Sequence, residues 1–102
     1  MRLTVLWIND SEARLTHFCE QEMVRELVGG EAFFWGRVVS SLCESRRILL
    51  LGPKANLESF RYYLSENHAE LFSRVEGIEV VELPHDSVIA AFALKYLLRR
   101  AG

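Results

Sequence analysis

The residues that most often carry chemistry in proteins, histidine and cysteine, are few and dispersed in this chain. The three histidines are His17, His68 and His85, and none has another histidine or a cysteine three or four residues further on, so their spacing does not support a zinc site. Cys19 and Cys43 lie far apart and form no Cys-x-x-Cys pair. We therefore expect neither a metal nor a cofactor.

Nucleophilic catalysis has equally little support in the sequence. Ser40, Ser41 and Cys43 fall near the end of a predicted helix without a base at a characteristic spacing, and no nucleophile-elbow sequence occurs. With 14 acidic residues in the chain, two carboxylates are expected to lie close together by chance. Such a pair would therefore not indicate acid–base catalysis. We expect a protein that is not an enzyme; a small enzyme of unknown reaction, with its site near Gly52, is the least favoured alternative.

The most suggestive short stretch is Gly52-Pro53-Lys54, which joins a predicted buried strand to the start of a helix. Ligands bind at this edge in open α/β sheets, and free amides at a helix N-terminus attract anions. One glycine is neither a dinucleotide-binding nor a Walker loop, and Pro53 lacks an N–H, so a plain turn is the alternative. The candidate binding residues are Gly52, Pro53 and Lys54, with Arg46 and Arg47 as possible helpers.

Length and composition bound the remaining possibilities. The 102 residues, half of them hydrophobic and a quarter charged, predict a single globular domain spanning 1–102. The net charge of −2 and the absence of a basic stretch argue against strong nucleic-acid binding. No segment resembles a membrane span or a signal peptide, and two cysteines are too few for a disulfide scaffold, so we expect a cytoplasmic protein.

The first thirty residues predict a β-hairpin or meander. The apolar run 3–8 is typical of a buried strand, the turn-formers Asn9, Asp10 and Ser11 follow it, and alternation over 13–18 predicts a returning strand. Residues 20–28 fit either a helix ended by two glycines or a third strand of a meander. We favour the strand because the connection is short.

The rest of the chain alternates helices and strands, which predicts the α/β class. The predicted elements are a helix over 31–44, a strand over 48–51, a helix from 54 to 67 with a short turn of helix over 69–72, a strand over 78–83 and a helix over 87–100. Pro84 ends the last strand, and Asp86 is a good N-cap for the last helix.

The last helix carries apolar residues nearly all round. A helix that lies on one face of a sheet needs a single apolar stripe, so its second apolar side requires another cover. That cover is either a neighbouring helix or a second subunit. We expect a homodimer with Val88, Phe92 and Tyr96 in or near the interface.

Three segments, in this order and spacing, carry a family resemblance: LWINDSEARLTHF (6–18), RRILLLGPKANLESFRYYL (46–64) and VEGIEVVELPHDSVIAAFALKYL (75–97). They resemble small bacterial translational machinery proteins, which are similar to the third domain of the archaeal and eukaryotic peptide-chain release factor and of its relative Pelota. The family often has aspartate where Asn9 stands and glycine where Lys54 stands. The resemblance covers most of the chain outside roughly 19–30.

The resemblance implies an α/β/α sandwich with a mixed sheet and no known catalysis. In the release factor this domain docks a translational GTPase, and in related kink-turn-binding ribosomal proteins the fold holds RNA. We therefore expect a non-catalytic binding module associated with translation. Its partner would be a translation protein, such as a GTPase, or the ribosome, since the net negative charge disfavours RNA. The alternative is an RNA- or ribosome-binding module that uses the edge at Gly52, Pro53 and Lys54.

Overall fold

The computed structural model describes residues 3–20, 22–29 and 34–101, with the side chains of the last two excepted. Within these residues the chain forms β1 (Leu3–Ile8), β2 (Glu12–Phe18), β3 (Met23–Gly29), α1 (Phe34–Leu42), β4 (Ile48–Gly52), α2 (Lys54–Asn67), α3 (Ala69–Phe72), β5 (Val75–Val80) and α4 (Asp86–Ala101). The strands make one sheet in the order β3-β2-β1-β4-β5. The predicted meander is therefore confirmed, including a strand over most of 20–28.

The sheet is mixed, and β1 lies at its centre. β1 pairs antiparallel with β2, which pairs antiparallel with β3, whereas β1–β4 and β4–β5 are parallel pairs. Parallel neighbours need a crossover connection, which α2 and α3 supply between β4 and β5. α1 likewise carries the chain from the edge strand β3 back to the centre of the sheet.

Both faces of the sheet are covered, because alternate residues of β1 and β4 point to opposite sides. Leu6, Ile8 and Leu50 pack against α1 and α2 in one hydrophobic cluster. Val5, Trp7 and others pack against α4 in a second cluster. Each fully buried leucine or valine contributes about 1.5–3 kcal/mol. These two clusters make the α/β/α sandwich that the family resemblance implied.

The last strand lies earlier in the chain than predicted. β5 runs Val75–Val80 rather than over 78–83, and Gly77, which looked like a turn, pairs with Leu49 inside it. The reason is a close approach: a Cβ at Gly77 would collide with the hydroxyl end of the Tyr96 side chain. Glycine inside a strand often marks such a contact.

The helix boundaries also differ from the prediction in two places. α1 ends at Leu42 rather than near Glu44, and residues 31–33 of the predicted helix lie outside the described part. In α4 the capping position belongs to His85, whose carbonyl accepts the Ile89 N–H at 3.0 Å, so Asp86 is the first helical residue instead of the N-cap. An acidic residue there still interacts favourably with the helix dipole.

Candidate functional site

The turn at Gly52, Pro53 and Lys54 is held rigidly by its backbone. Gly52 has a φ of +154°, and any Cβ at this position would clash with the Ile8 carbonyl. The Gly52 carbonyl accepts the Val81 N–H at 2.9 Å, and the Pro53 carbonyl accepts the Leu57 N–H at 3.0 Å. Gly52 and Pro53 therefore shape the turn, and Lys54 is the residue of the three that extends an exposed side chain.

Lys54 stands at the rim of a groove between α2 and the edge strand β5, which we call the β5–α2 groove. Its volume is about 190 Å³, and it is lined by Lys54, Leu57, Glu58, Arg61, Ile78 and Val80. Val80 is 59% exposed, a high value for a valine in a strand. Neither Lys54 nor Arg61 makes a hydrogen bond or ion pair with any residue that the structure describes. The groove thus combines an apolar floor with two cations that have no partner within the described part of the chain.

Arg46 and Arg47 do not join this site. They precede β4, whereas Lys54 follows it, and the five residues of the strand place about 17 Å between its two ends. The Arg47 guanidinium donates to both carboxylate oxygens of Glu76, at 2.6 and 2.8 Å, and to the Tyr96 carbonyl. Arg47 is therefore a structural residue that ties β4 to β5 and α4, and Arg46 is exposed at the far end of the strand.

The expected interface residues on α4 face inward rather than outward. Tyr96 is only 3% exposed, and it packs with the second cluster, to which the half-buried Val88 and Phe92 also belong. The surplus apolar side consists of Leu94 and Leu98, which are 58% and 60% exposed and lie one turn apart. If α4 contributes to a dimer, Leu94 and Leu98 are the side chains that would meet the partner.

The buried Tyr96 hydroxyl has a polar partner on β5. It donates to Glu79 Oε2 at 2.8 Å. Burial raises the pKa of the Tyr96 phenol, and the hydrogen bond to Glu79 raises it further. The ring also lies under the Arg99 guanidinium, whose carbon is 4.9 Å from the ring centroid. Tyr96 thereby joins α4 to β5 through both its ring and its hydroxyl.

A chain of polar side chains, which no local sequence pattern predicted, crosses the sheet on the α1 side. His17 Nε2 lies 3.2 Å from Glu26 Oε1, and His17 Nδ1 lies 2.9 Å from Thr4 Oγ1. Ser45 Oγ contacts Thr4 Oγ1, and Ser41 donates to the second oxygen of Glu26. Because an ionised carboxylate can only accept, a neutral His17 donates from Nε2 and accepts the Thr4 hydroxyl at Nδ1.

This order of hydroxyl, imidazole and carboxylate is that of a nucleophile activated by a base. The hydroxyl end is closed, however, since Thr4 and Ser45 are fully buried and no substrate could reach them. The chain is instead a way to satisfy buried polar groups, and no buried side-chain polar atom among the described residues lacks a partner. The inward position of His17 in the alternation of β2 is the signal that sequence reasoning could have used.

Comparison with known proteins shows a similarity of fold but none of sequence. Neither a protein-family model nor a curated protein matches the sequence. Among solved structures, Pelota from Archaeoglobus fulgidus superposes on 96% of this chain with a TM-score of 0.71 and 17% identity. The chain has the fold of a Pelota domain. It covers 31% of the length of that Pelota chain, so the likeness concerns one part of a longer protein.

The Pelota-like fold agrees with the predicted α/β/α sandwich and its mixed sheet. Over the residues described, no three histidine, cysteine or acidic side chains come together in a metal-binding cluster. None of the helices in this part of the chain is long and apolar enough to cross a bilayer. At the surface of this Pelota-like domain, the β5–α2 groove places exposed apolar side chains beside two cations.

Proposed function

We propose that this chain is a non-catalytic binding module associated with translation and that it docks a protein partner through the β5–α2 groove. The observation that carries the proposal is the pairing of exposed apolar residues on the edge strand, Ile78 and Val80, with two cations, Lys54 and Arg61, that have no partner among the described residues. The Pelota-like fold supports the link to translation.

The groove fits a protein segment that carries apolar residues flanked by aspartate or glutamate. Burying the floor supplies most of the affinity, at about 25 cal/mol per Å² of apolar surface. Each exposed ion pair with Lys54 or Arg61 adds only about 0.2–1 kcal/mol, but complementary charge steers association and fixes the orientation. A translational GTPase is the partner that the family resemblance implies.

RNA is the competing ligand, and the distribution of cations favours protein over it. Affinity for a phosphate backbone requires clustered lysine and arginine. The chain has a net charge of −2, and Arg46 and Lys54 lie at opposite ends of β4. Glu58 lies between the two cations of the groove and reduces its positive potential further.

The test begins with affinity capture from a bacterial lysate, with and without nuclease, followed by titration of the partner that is captured. We expect Lys54→Glu to weaken binding while leaving the melting temperature unchanged, because substitutions at such exposed positions usually cost under about 0.5 kcal/mol. Arg46→Glu is the matched control, since it makes the same charge change away from the groove, and it should bind as the wild type does.

Two results would overturn the proposal. The first is loss of the partner after nuclease treatment together with a steep fall of affinity with salt, which is the signature of a phosphate backbone. The second is equal affinity of the wild type and the Lys54→Glu variant with equal melting temperatures. That result would mean that the turn at Gly52 is only a turn and that any docking surface lies elsewhere.

A further inference from the structure

A second and larger depression lies on the opposite face of the sheet, where the proposed function does not use it. Its volume is about 330 Å³, and it is lined by Arg14, Thr16, Arg25, Glu26, Leu27, Asp86 and Ile89. It exists because α4 packs over β1 and β4 and leaves Arg14 of β2 and the same face of β3 exposed. We call it the β2–β3 depression.

The strand register brings two arginines to the floor of the β2–β3 depression. Thr16 lies directly opposite Arg25, and Arg14 lies directly opposite Leu27, so these four residues share one face of the sheet. Arg14 and Arg25 are thus diagonal neighbours, at a Cα separation of about 7–8 Å, with Thr16 beside both. Two guanidinium groups can reach a single ligand from this spacing.

The Thr16 hydroxyl is the most unusual feature of the floor. Thr16 is only 5% exposed, and its side chain makes no hydrogen bond with any residue in the described ranges. Polar side-chain atoms that are sealed from solvent all have partners in the same part of the chain. The Thr16 oxygen must therefore open into the depression that it lines, where it is free to bond to a ligand.

The wall of the depression adds a helix N-terminus and an apolar surface. Asp86 begins α4, a helix of 16 residues whose dipole favours negative charge at this end. Ile89 and Leu27 supply apolar contacts beside the arginines. The Glu26 carboxylate does not oppose an anion here, because it bonds to His17 and Ser41 on the other face of the sheet.

We propose that the β2–β3 depression binds a small organic oxyanion, a phosphate ester or a carboxylate whose apolar body lies on Leu27 and Ile89. Arginine binds such groups through two parallel hydrogen bonds, and the Thr16 hydroxyl donates a further one. Arg14 pairs at present with Glu12 at 2.8 Å, and Arg25 pairs with Asp86 at 3.6 Å. Both pairs are exposed and weak, so a ligand can replace them.

The test is titration with phenyl phosphate and, separately, with benzoate, followed by calorimetry and by amide chemical shifts of β2 and β3. We expect saturable binding of at least one probe. The probe that binds more tightly shows whether the depression prefers a phosphate ester or a carboxylate. Arg25→Gln and Thr16→Val should each weaken binding by about tenfold, because each removes a hydrogen bond to a charged group. Asp86→Asn should tighten binding, since it removes the carboxylate that competes for Arg25.

Controls keep the result interpretable. Arg61→Gln removes a cation from the β5–α2 groove and should leave the affinity of the β2–β3 depression for phenyl phosphate and benzoate unchanged. Thr16→Val should melt at or above the temperature of the wild type, because the hydroxyl has no hydrogen bond to lose with any residue that the structure describes. If Arg25→Gln unfolds, Arg14→Gln takes its place. The proposal is overturned if neither probe shows saturable binding. It is also overturned if the arginine and threonine substitutions leave the affinity for the probe unchanged.

Discussion

Gly52 is the residue on which the geometry of the β4–α2 turn depends most directly. Its φ of +154° is unfavourable for any residue with a Cβ, and that Cβ would meet the Ile8 carbonyl, which belongs to the backbone and cannot move aside. We expect Gly52→Ala to lower the free energy of unfolding by at least about 2 kcal/mol. Urea denaturation of the purified variant measures this.

Gly36 provides the matched control for Gly52. It lies in α1, is exposed, and has open space where a Cβ would be placed. Gly36→Ala should therefore raise the free energy of unfolding by about 0.5–1 kcal/mol, as alanine does in a helix interior. Equal effects of the two substitutions would show that the close approach between Gly52 and Ile8 does not exist in solution.

Tyr96 makes the stability depend on pH in the alkaline range. Its pKa is raised in the folded state by burial and by Glu79, so the folded protein holds the phenolic proton more tightly than the unfolded chain. The resulting stabilisation is complete below the unfolded pKa of about 10 and is lost as the pH rises through the folded pKa. We expect the free energy of unfolding to fall above pH 10.

Tyr96→Phe should reduce this fall, because it removes the group that titrates. The measurement is urea denaturation at pH 9 and pH 11 for the wild type, for Tyr96→Phe and for Tyr62→Phe. Tyr62 is 66% exposed, so its substitution should leave the pH dependence as it is. A wild-type slope that persists in Tyr96→Phe would assign the effect to another group.

At the scale of elements, α4 has a face that packs on the core and a face that is exposed, and a substitution to glutamate should affect stability differently on each. Phe92 packs against the core cluster, so Phe92→Glu should destabilise the fold by about 3 kcal/mol or more. Leu94 is exposed, and Leu94→Glu should leave the melting temperature nearly unchanged. Light scattering then tests self-association: if α4 forms the predicted homodimer, Leu94→Glu should be monomeric where the wild type is dimeric.

If the Leu94→Glu variant is still a dimer, α4 does not form the interface. If the wild type is a monomer at micromolar concentration, the predicted homodimer does not exist. Phe92→Glu alone answers neither question, since its loss of stability would mimic dissociation.

The elements that could be predicted from sequence are those whose local pattern of apolar and turn-forming residues matches their burial in the fold. The run Leu3–Ile8 is apolar throughout because both sides of β1 are covered, and Asn9 accepts two backbone N–H groups to make the turn that follows. Gly77 was wrongly predicted to be a turn residue. Glycine is needed there because the Tyr96 side chain, which is distant in sequence, leaves no space for a Cβ. A local pattern cannot show such a contact.

The candidate site was predictable only in part, for the same reason. Lys54 follows the apolar strand and was found directly, but Ile78 and Val80, which complete the groove, come from β5. Arg47 was expected to help at the turn, but its partner Glu76, which is distant in sequence, is brought next to it by the pairing of β4 with β5. Helix α4 was predicted to carry a surplus apolar side, which Leu94 and Leu98 supply, whereas Tyr96, named for the interface, is only 3% exposed.

At the scale of the whole molecule, the two surfaces that we propose are independent. The β5–α2 groove lies at one edge of the sheet on the α2 side, and the β2–β3 depression lies at the other edge on the α4 side. The two have no lining residue in common. A small oxyanion and a protein partner could therefore be bound at the same time, and loss of one should not remove the other.

The position of β1 between an antiparallel and a parallel neighbour has a consequence for the order of folding. Its pairing with β2 closes only the short turn at Asn9, whereas its pairing with β4 joins Thr4 to Ile48 and must close a long loop first. Local contacts form faster than distant ones, so the β1–β2–β3 meander should be structured in the folding transition state before β4 and β5 dock. Stopped-flow kinetics of Asn9→Ala and Val75→Ala test this: the first should mainly slow folding and the second mainly speed unfolding, and the reverse pattern would place the nucleus in the parallel half of the sheet.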